Sequence, residues 1–131
     1  MNAGLKCLLT IHEHDPRYDV EAYIFLREAL EFTSRRLEKP ERGTQRHVSG
    51  QELCGGFREY ALEQFGPMAF TVLAEWGVHA TEDIGAMVFN LVDAGELGKT
   101  AEDKPEDFAE GFSFYDAFEK PFLPPMQGAG V

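Results

Sequence analysis

Four consecutive residues near the N-terminus, His12-Glu13-His14-Asp15, bring together side chains that bind zinc and other transition metals, with Cys7 a little upstream. Local conformation decides whether they can act together. On a strand, His12 and His14 share a face and can chelate; on a helix, residues two apart point well away from each other. The run reads as a helix end, where histidines complement the negative pole of the dipole, and no metal is assigned to it. Cys54 is the second chemical candidate. It lies just inside a capped helix start, a position that lowers a thiol's pKa and favours nucleophilic chemistry. Its base would have to be His47 or His79, and nothing in the sequence brings either close. Cys54 therefore reads as a small buried residue beside Gly55 and Gly56.

Two clusters of charge complete the inventory. Glu102-Asp103 and Glu106-Asp107 flank Lys104-Pro105, without the alternate-position ligands and central glycine of a calcium loop. They read as a solvated turn whose charge discourages edge-to-edge sheet pairing. Arg35, Arg36, Lys39, Arg42 and Arg46 form the basic cluster, spanning a helix end and the loop beyond it. Part of that cluster simply complements the helix C-terminus. As a functional site, Arg35, Arg36, Arg42 and Arg46 are the candidate partner-binding residues, suited to an acidic protein, a phosphate group or RNA. Interleaved aromatics for stacking bases are missing. The sequence has no GxxxxGK[ST], GxGxxG or GxSxG, so no catalytic, cofactor-binding or metal residue is assigned.

The elements that must position these residues are mostly helical. Residues 3–12 predict a helix with Leu5, Leu8, Leu9 and Ile11 facing the domain, broken at Asp15-Pro16. From Val20 to Leu37, Tyr23, Leu26, Leu30, Thr33 and Leu37 keep helical spacing, widened by Phe25, Ala29 and Phe32, with Asp19 or Asp15 as cap. A polar loop follows to Arg46, and Arg46-His47-Val48 can form a short strand. Ser49 with Glu52 is a capping-box pattern opening a helix that carries Leu53, Phe57, Tyr60, Ala61 and Phe65. Its glycines predict close packing on another helix. Gly66-Pro67 is a stop and restart, and the next helix, to Trp76, is expected to bury Met68, Val72, Leu73 and Trp76. Thr81 is the expected cap of a third helix carrying Ile84, Met87, Val88, Leu91 and Val92 to Gly95.

Beyond Leu97, two short extended segments around a charged turn predict a hairpin ending near Phe112. Phe112, Phe114, Tyr115, Phe118 and Phe122 make an aromatic close that packs onto the core. The expected fold is mainly α: a helical domain with a winged helix-turn-helix-like C-terminal half and a short β-hairpin. Residues 1–122 form a single globular domain, with N-terminal helices and loop over 1–48 and the winged-helix-like part over 49–122. Residues 123–131 form a flexible tail.

Composition narrows function further. The 131 residues hold 44% hydrophobic and 12% aromatic side chains, enough to fill one core. The formal charge is -11, and residues 75–131 carry three bases against 12 acids. Duplex DNA is disfavoured as a partner, most directly because Thr81 to Leu97, the expected recognition helix, contains no Lys or Arg and offers only Asn90 for reading bases. No apolar run approaches the roughly 20 residues of a membrane span. Two cysteines without a secretory context fit reduced thiols in the cytoplasm.

The stretch HVSGQELCGGFREYALEQFGPMAFTVLAEWGV, the following TEDIGAMVFNLVDAGELGKTAEDKPEDF and the later KPF resemble an uncharacterised protein family of planctomycete and verrucomicrobial bacteria, over about residues 17–122. That resemblance implies a compact bacterial intracellular protein and brings no substrate, cofactor or catalytic residue. The expected function is a non-catalytic protein-interaction module on a winged-helix-like scaffold, binding another protein or itself. The alternatives are a DNA- or RNA-associated regulator and a small enzyme with an unrecognised site.

Overall fold

A computed structural model describes residues 3–36, 48–95, 105–109 and 111–123. Among the described residues, five α-helices carry the fold: α1 (Ala3–His14), α2 (Val20–Arg36), α3 (Gly50–Phe65), α4 (Ala69–Glu75) and α5 (Thr81–Asp93). Short helical turns at Gly66–Met68, Pro105–Phe108, Tyr115–Glu119 and Lys120–Phe122 complete it. The molecule is mainly helical, as the periodicity predicts.

The turn between α1 and α2 is fixed by polar contacts. Asp19 caps α2, its Oδ1 accepting from the Glu21 N–H at 2.9 Å, and its own N–H donates to the Trp76 carbonyl at 3.1 Å. Asp15, the other expected cap, instead accepts two hydrogen bonds from the Arg17 guanidinium, at 2.8 and 2.7 Å. Helix α2 buries Ala22, Tyr23, Phe25, Leu26, Ala29 and Thr33, a stripe spaced three and four residues apart. That stripe packs on α3, which buries Leu53, Cys54, Phe57 and Ala61. The two helices meet most closely where Thr33 lies over Gly56; Gly55, its neighbour, faces open space.

Both halves of the capping box form: Ser49 Oγ accepts from the Glu52 N–H at 3.1 Å and Glu52 Oε1 from the Ser49 N–H at 3.0 Å. At the other end, Gly66 turns the chain with φ of 51°, a conformation that favours glycine, and Pro67 restarts it. Gly77, at φ of 89°, ends the α4 segment so close to the α1–α2 turn that a Cβ there would lie 2.0 Å from the Arg17 carbonyl oxygen. Trp76 covers this junction half-buried, its ring beside Phe25 and Phe65.

Several expectations need correction. Leu9 is exposed rather than packed inward, because Leu8 and Ile11 alone occupy the buried side of α1 among its described side chains. Met68 is likewise exposed: α4 turns Ala69 and Leu73 into the core, and Met68 sits in the turn before that stripe. Thr81 does not cap α5. Its hydroxyl donates to the Phe108 carbonyl at 2.6 Å and accepts from the Gly111 N–H at 3.0 Å. The cap comes from Asp83, whose Oδ2 accepts from the His79 and Ala80 N–H groups at 2.8 and 3.2 Å.

No strand occurs among the described residues. The expected hairpin fails where it can be followed, because Pro105–Phe108 forms a helical turn with the Phe108 ring seated against Gly85. Residues 96–104, the rest of that hairpin, lie outside the described residues. Arg46 and His47 of the proposed short strand lie outside them as well, and Val48 is a buried residue leading into the α3 cap.

Candidate interaction surface

The residues singled out for chemistry do not converge. His12 Nδ1–H donates to the Tyr18 carbonyl at 2.8 Å, whereas His14 Nδ1–H donates to Thr10 of its own helix at 3.0 Å. Each ring is thus oriented by a different carbonyl, as a helical end dictates. Cys7 lies across the fold beside the Ala94 carbonyl. Among the described residues, no three His, Cys, Asp or Glu side chains gather as a metal-binding set.

Cys54 is buried, and desolvation, with a smaller contribution from the charge of Glu82, pushes its thiol up to about 12. This is the opposite of the activation expected near a helix start: the thiol stays protonated at neutral pH. His79 is exposed, and His47 lies outside the described residues.

The basic cluster divides. Arg36 Nη2 pairs with Glu59 Oε1 at 2.7 Å, tying α2 to α3, and its guanidinium lies over the Phe32 ring. Arg35 faces Glu31 at 3.7 Å on the exposed face of α2. Both arginines are therefore already engaged with acids of this chain. Arg42 and Arg46, with Lys39, lie outside the described residues, as do Glu102 and Asp103. Glu106 is exposed in its turn.

A polar network beneath the α1–α2 turn was not legible from spacing. Asn90 Nδ2 donates to Asp15 Oδ2 at 2.9 Å and to Tyr23 Oη at 3.0 Å, and Tyr18 Oη donates to Asp83 Oδ1 at 2.6 Å. The Arg17 guanidinium, aided by Asn90 and opposed by partial burial, holds the Asp15 carboxyl well below the usual carboxylate range. Burial and the Asp83 carboxylate raise the Tyr18 hydroxyl. These groups satisfy one another, and the network pins α5 to the α1–α2 turn. It also engages the amide of Asn90, the residue singled out for reading bases.

Two surface features remain. One is an open groove of about 470 Å³ on α1 and α2, lined by Leu8, Ile24, Arg27, Glu28, Leu30 and Glu31. The other is apolar and lies on the turns after α3 and near the C-terminal end of the described residues. Five large hydrophobic side chains are exposed among the described residues: Leu9 at 40%, Met68 at 56%, Tyr115 at 50%, Phe122 at 44% and Leu123 at 42%. The last four sit on the Gly66–Met68, Tyr115–Glu119 and Lys120–Phe122 turns and the residue that follows. The Tyr115–Glu119 turn touches both of the others.

Local geometry explains why these side chains face out. The Gly66-Pro67 break sets Ala69 and Leu73 inward, leaving Met68 outside. In the C-terminal turns, Phe114, Ala117 and Phe118 fill the core, with the Phe112 ring stacked on Phe114 and edge-to-face with Phe118, so Tyr115 falls on the outer side. Pro67 and Pro121 are exposed within the same turns. About half of four large side chains amounts to a surface on the order of 400 Å², within the roughly 300–600 Å² of the largest patches on monomers, which often carry function. Tyr115 and Phe122 thus depart from the aromatic close expected to pack onto the core. The available signal was that Met68 precedes the Ala69–Leu73 stripe.

Compared with known proteins, the chain matches no family model, no curated protein and no solved structure.

Proposed function

We propose that this chain is a non-catalytic protein-interaction module: a helical scaffold that presents Met68, Tyr115, Phe122 and Leu123 to a protein partner. The observation that carries this reading is the gathering of four of the five exposed large hydrophobic side chains on turns that touch. Covering about 400 Å² of apolar surface contributes roughly 10 kcal/mol at about 25 cal/mol per Å². Association itself costs about 4–15 kcal/mol, so the surplus fits a reversible partner and not a permanent subunit. The helix-turn-helix order of α3, α4 and α5 supplies the scaffold, and the proposal does not depend on a wing. Two cysteines outside any disulfide, one of them buried, fit a reducing cytoplasmic setting.

A DNA- or RNA-associated regulator has less support. Helix α5 buries Ile84, Gly85, Met87, Val88 and Leu91 and lies against the Pro105–Phe108 turn, so it is a core helix and not a projecting recognition helix. An enzymatic reading has a protonated Cys54 and self-satisfied polar groups as its raw material.

The double variant Met68→Ser/Phe122→Ser tests the proposal in cells carrying tagged parent or variant protein. Cross-linking and mass spectrometry should recover partners with the parent that disappear with the variant, at an unchanged thermal midpoint. Recovery of the same partners by both proteins would remove the patch from the interface.

A further inference from the structure

Acids lie on the elements that carry or adjoin the apolar surface. Asp116 and Glu119 belong to the same turn as Tyr115, Glu63 is in the last turn of α3 just before Gly66, and Glu75 ends α4, which packs on the Tyr115–Glu119 turn. None of these four carboxylates belongs to an ion pair among the described residues. Four described arginines elsewhere are engaged: Arg17 by Asp15, Arg35 by Glu31, Arg36 by Glu59, and Arg58 over the Phe112 ring. Lys120 is the one basic residue on the turns that carry the patch. Among the described residues the surface is therefore apolar at its centre, with acids outnumbering bases on the turns and helix ends beside it, on a chain of net charge -11.

We propose that the partner segment is a cationic amphipathic helix. Its apolar face seats on Met68, Tyr115, Phe122 and Leu123, and its Lys or Arg residues meet Glu63, Glu75, Asp116 and Glu119. This inference rests on the reading of the patch as a protein-interaction surface. A helix fits because the described residues offer no strand edge on which an extended peptide could be added. Unbranched Met68 adapts to varied apolar side chains. A second copy of this chain fits poorly: an isologous contact through the patch would bring the same carboxylates face to face. An anionic lipid surface would be repelled by them for the same reason.

The test uses the full chain and two labelled peptides of about 18 residues, long enough to hold a helix when bound. One is a Lys/Leu amphipathic helix, and the other carries Glu in place of every Lys on the same apolar face. Anisotropy titration should show saturable binding of the Lys/Leu peptide, weakened by added salt, and no binding of the Glu/Leu peptide. Met68→Ser/Phe122→Ser should weaken the Lys/Leu peptide by about tenfold or more, although every acid is retained, and Asp116→Lys/Glu119→Lys should do the same with the apolar residues intact. Circular dichroism of each variant confirms that the fold persists.

Lys/Leu binding that survives Met68→Ser/Phe122→Ser would overturn the proposal, because charge alone would then explain it. Equal binding of both peptides would overturn the cationic requirement while leaving the apolar interface standing. Failure of both peptides, with partner capture in cells still lost in Met68→Ser/Phe122→Ser, would likewise reject the helix and keep the interaction reading. Failure of both with capture unchanged would reject the two together. A dimer in sedimentation that Met68→Ser/Phe122→Ser disperses would make the occupant a second copy.

Discussion

Adjacent glycines in α3 offer one chemical change with two opposite outcomes. A Cβ on Gly56 would lie 1.7 Å from Thr33 Oγ1, 2.7 Å from Thr33 Cβ and 2.9 Å from Thr33 Cγ2, whereas a Cβ on Gly55 meets nothing within 4 Å. Thr33 cannot swing aside easily: it is buried and β-branched, and its hydroxyl donates to the Ala29 carbonyl at 2.7 Å. Relief of the overlap requires α2 and α3 to part by on the order of 1 Å, and a gap of that size forfeits about a quarter to a half of each dispersion contact along the seam. The overpacking cost then falls at the upper end of about 1–3 kcal/mol. Alanine's better helix propensity returns about 1 kcal/mol, leaving Gly56→Ala destabilised by about 2 kcal/mol. Gly55→Ala keeps the propensity gain without the clash and should be more stable than the parent by about 0.5–1 kcal/mol. Urea denaturation reads both, with Gly56→Ala lowering the midpoint by about 1 M at an unchanged slope. Thr33→Ala should recover part of the loss when combined with Gly56→Ala, a coupling that a double-mutant cycle isolates. A Gly56→Ala protein as stable as the parent, or strictly additive with Thr33→Ala, would refute the close crossing.

Thr81→Val keeps the shape of the side chain but leaves the Phe108 carbonyl and the Gly111 N–H without their shared partner, so it should cost about 1–3 kcal/mol. Hydrogen exchange should rise first at Gly111, and unchanged protection there would count against Thr81 as the tether. Asp15→Asn should lower stability at neutral pH and flatten the acid limb of the stability curve. The folded-state pKa of Asp15 lies below the unfolded one, so its contribution is present above about pH 4 and is lost as pH falls towards the folded value. Thermal melts of parent and variant across that window check it, and parallel curves would assign the acid response to other groups.

How much was legible in the sequence depends on how far each feature reaches along the chain. The Ser49–Glu52 capping box and the Gly66-Pro67 break involve residues within a few positions of one another, and both form as their types dictate. Thr81 shows the limit of that logic. Its type is right for a cap, and Asp83 two residues later supplies the cap instead, while the Thr81 hydroxyl reaches a carbonyl 27 positions away. That contact, with the Phe108 ring lying on Gly85, is what makes Pro105–Phe108 a helical turn docked on α5 where short alternation suggested a strand. Arg36 shows the same limit: it meets Glu59 on another helix, a pairing no spacing within α2 reveals.

The apolar patch follows from the same physics. Helical periodicity assigns a face over several turns, but Met68, Tyr115 and Phe122 each lie in a turn too short to establish one. In such turns a single residue of displacement moves a large side chain from core to solvent, so composition counts the side chain without saying which way it faces. Phe118 and Phe122 illustrate this: the same residue type one helical turn apart is fully buried in the first position and 44% exposed in the second. Pro121 lies between them, where its fixed φ starts the Lys120–Phe122 turn and ends the register that buried Phe118. The exposed aromatic is therefore a consequence of that proline as much as of its own type, and the surface proposed for a partner is set by the two prolines, Pro67 and Pro121, that interrupt the helical stripes.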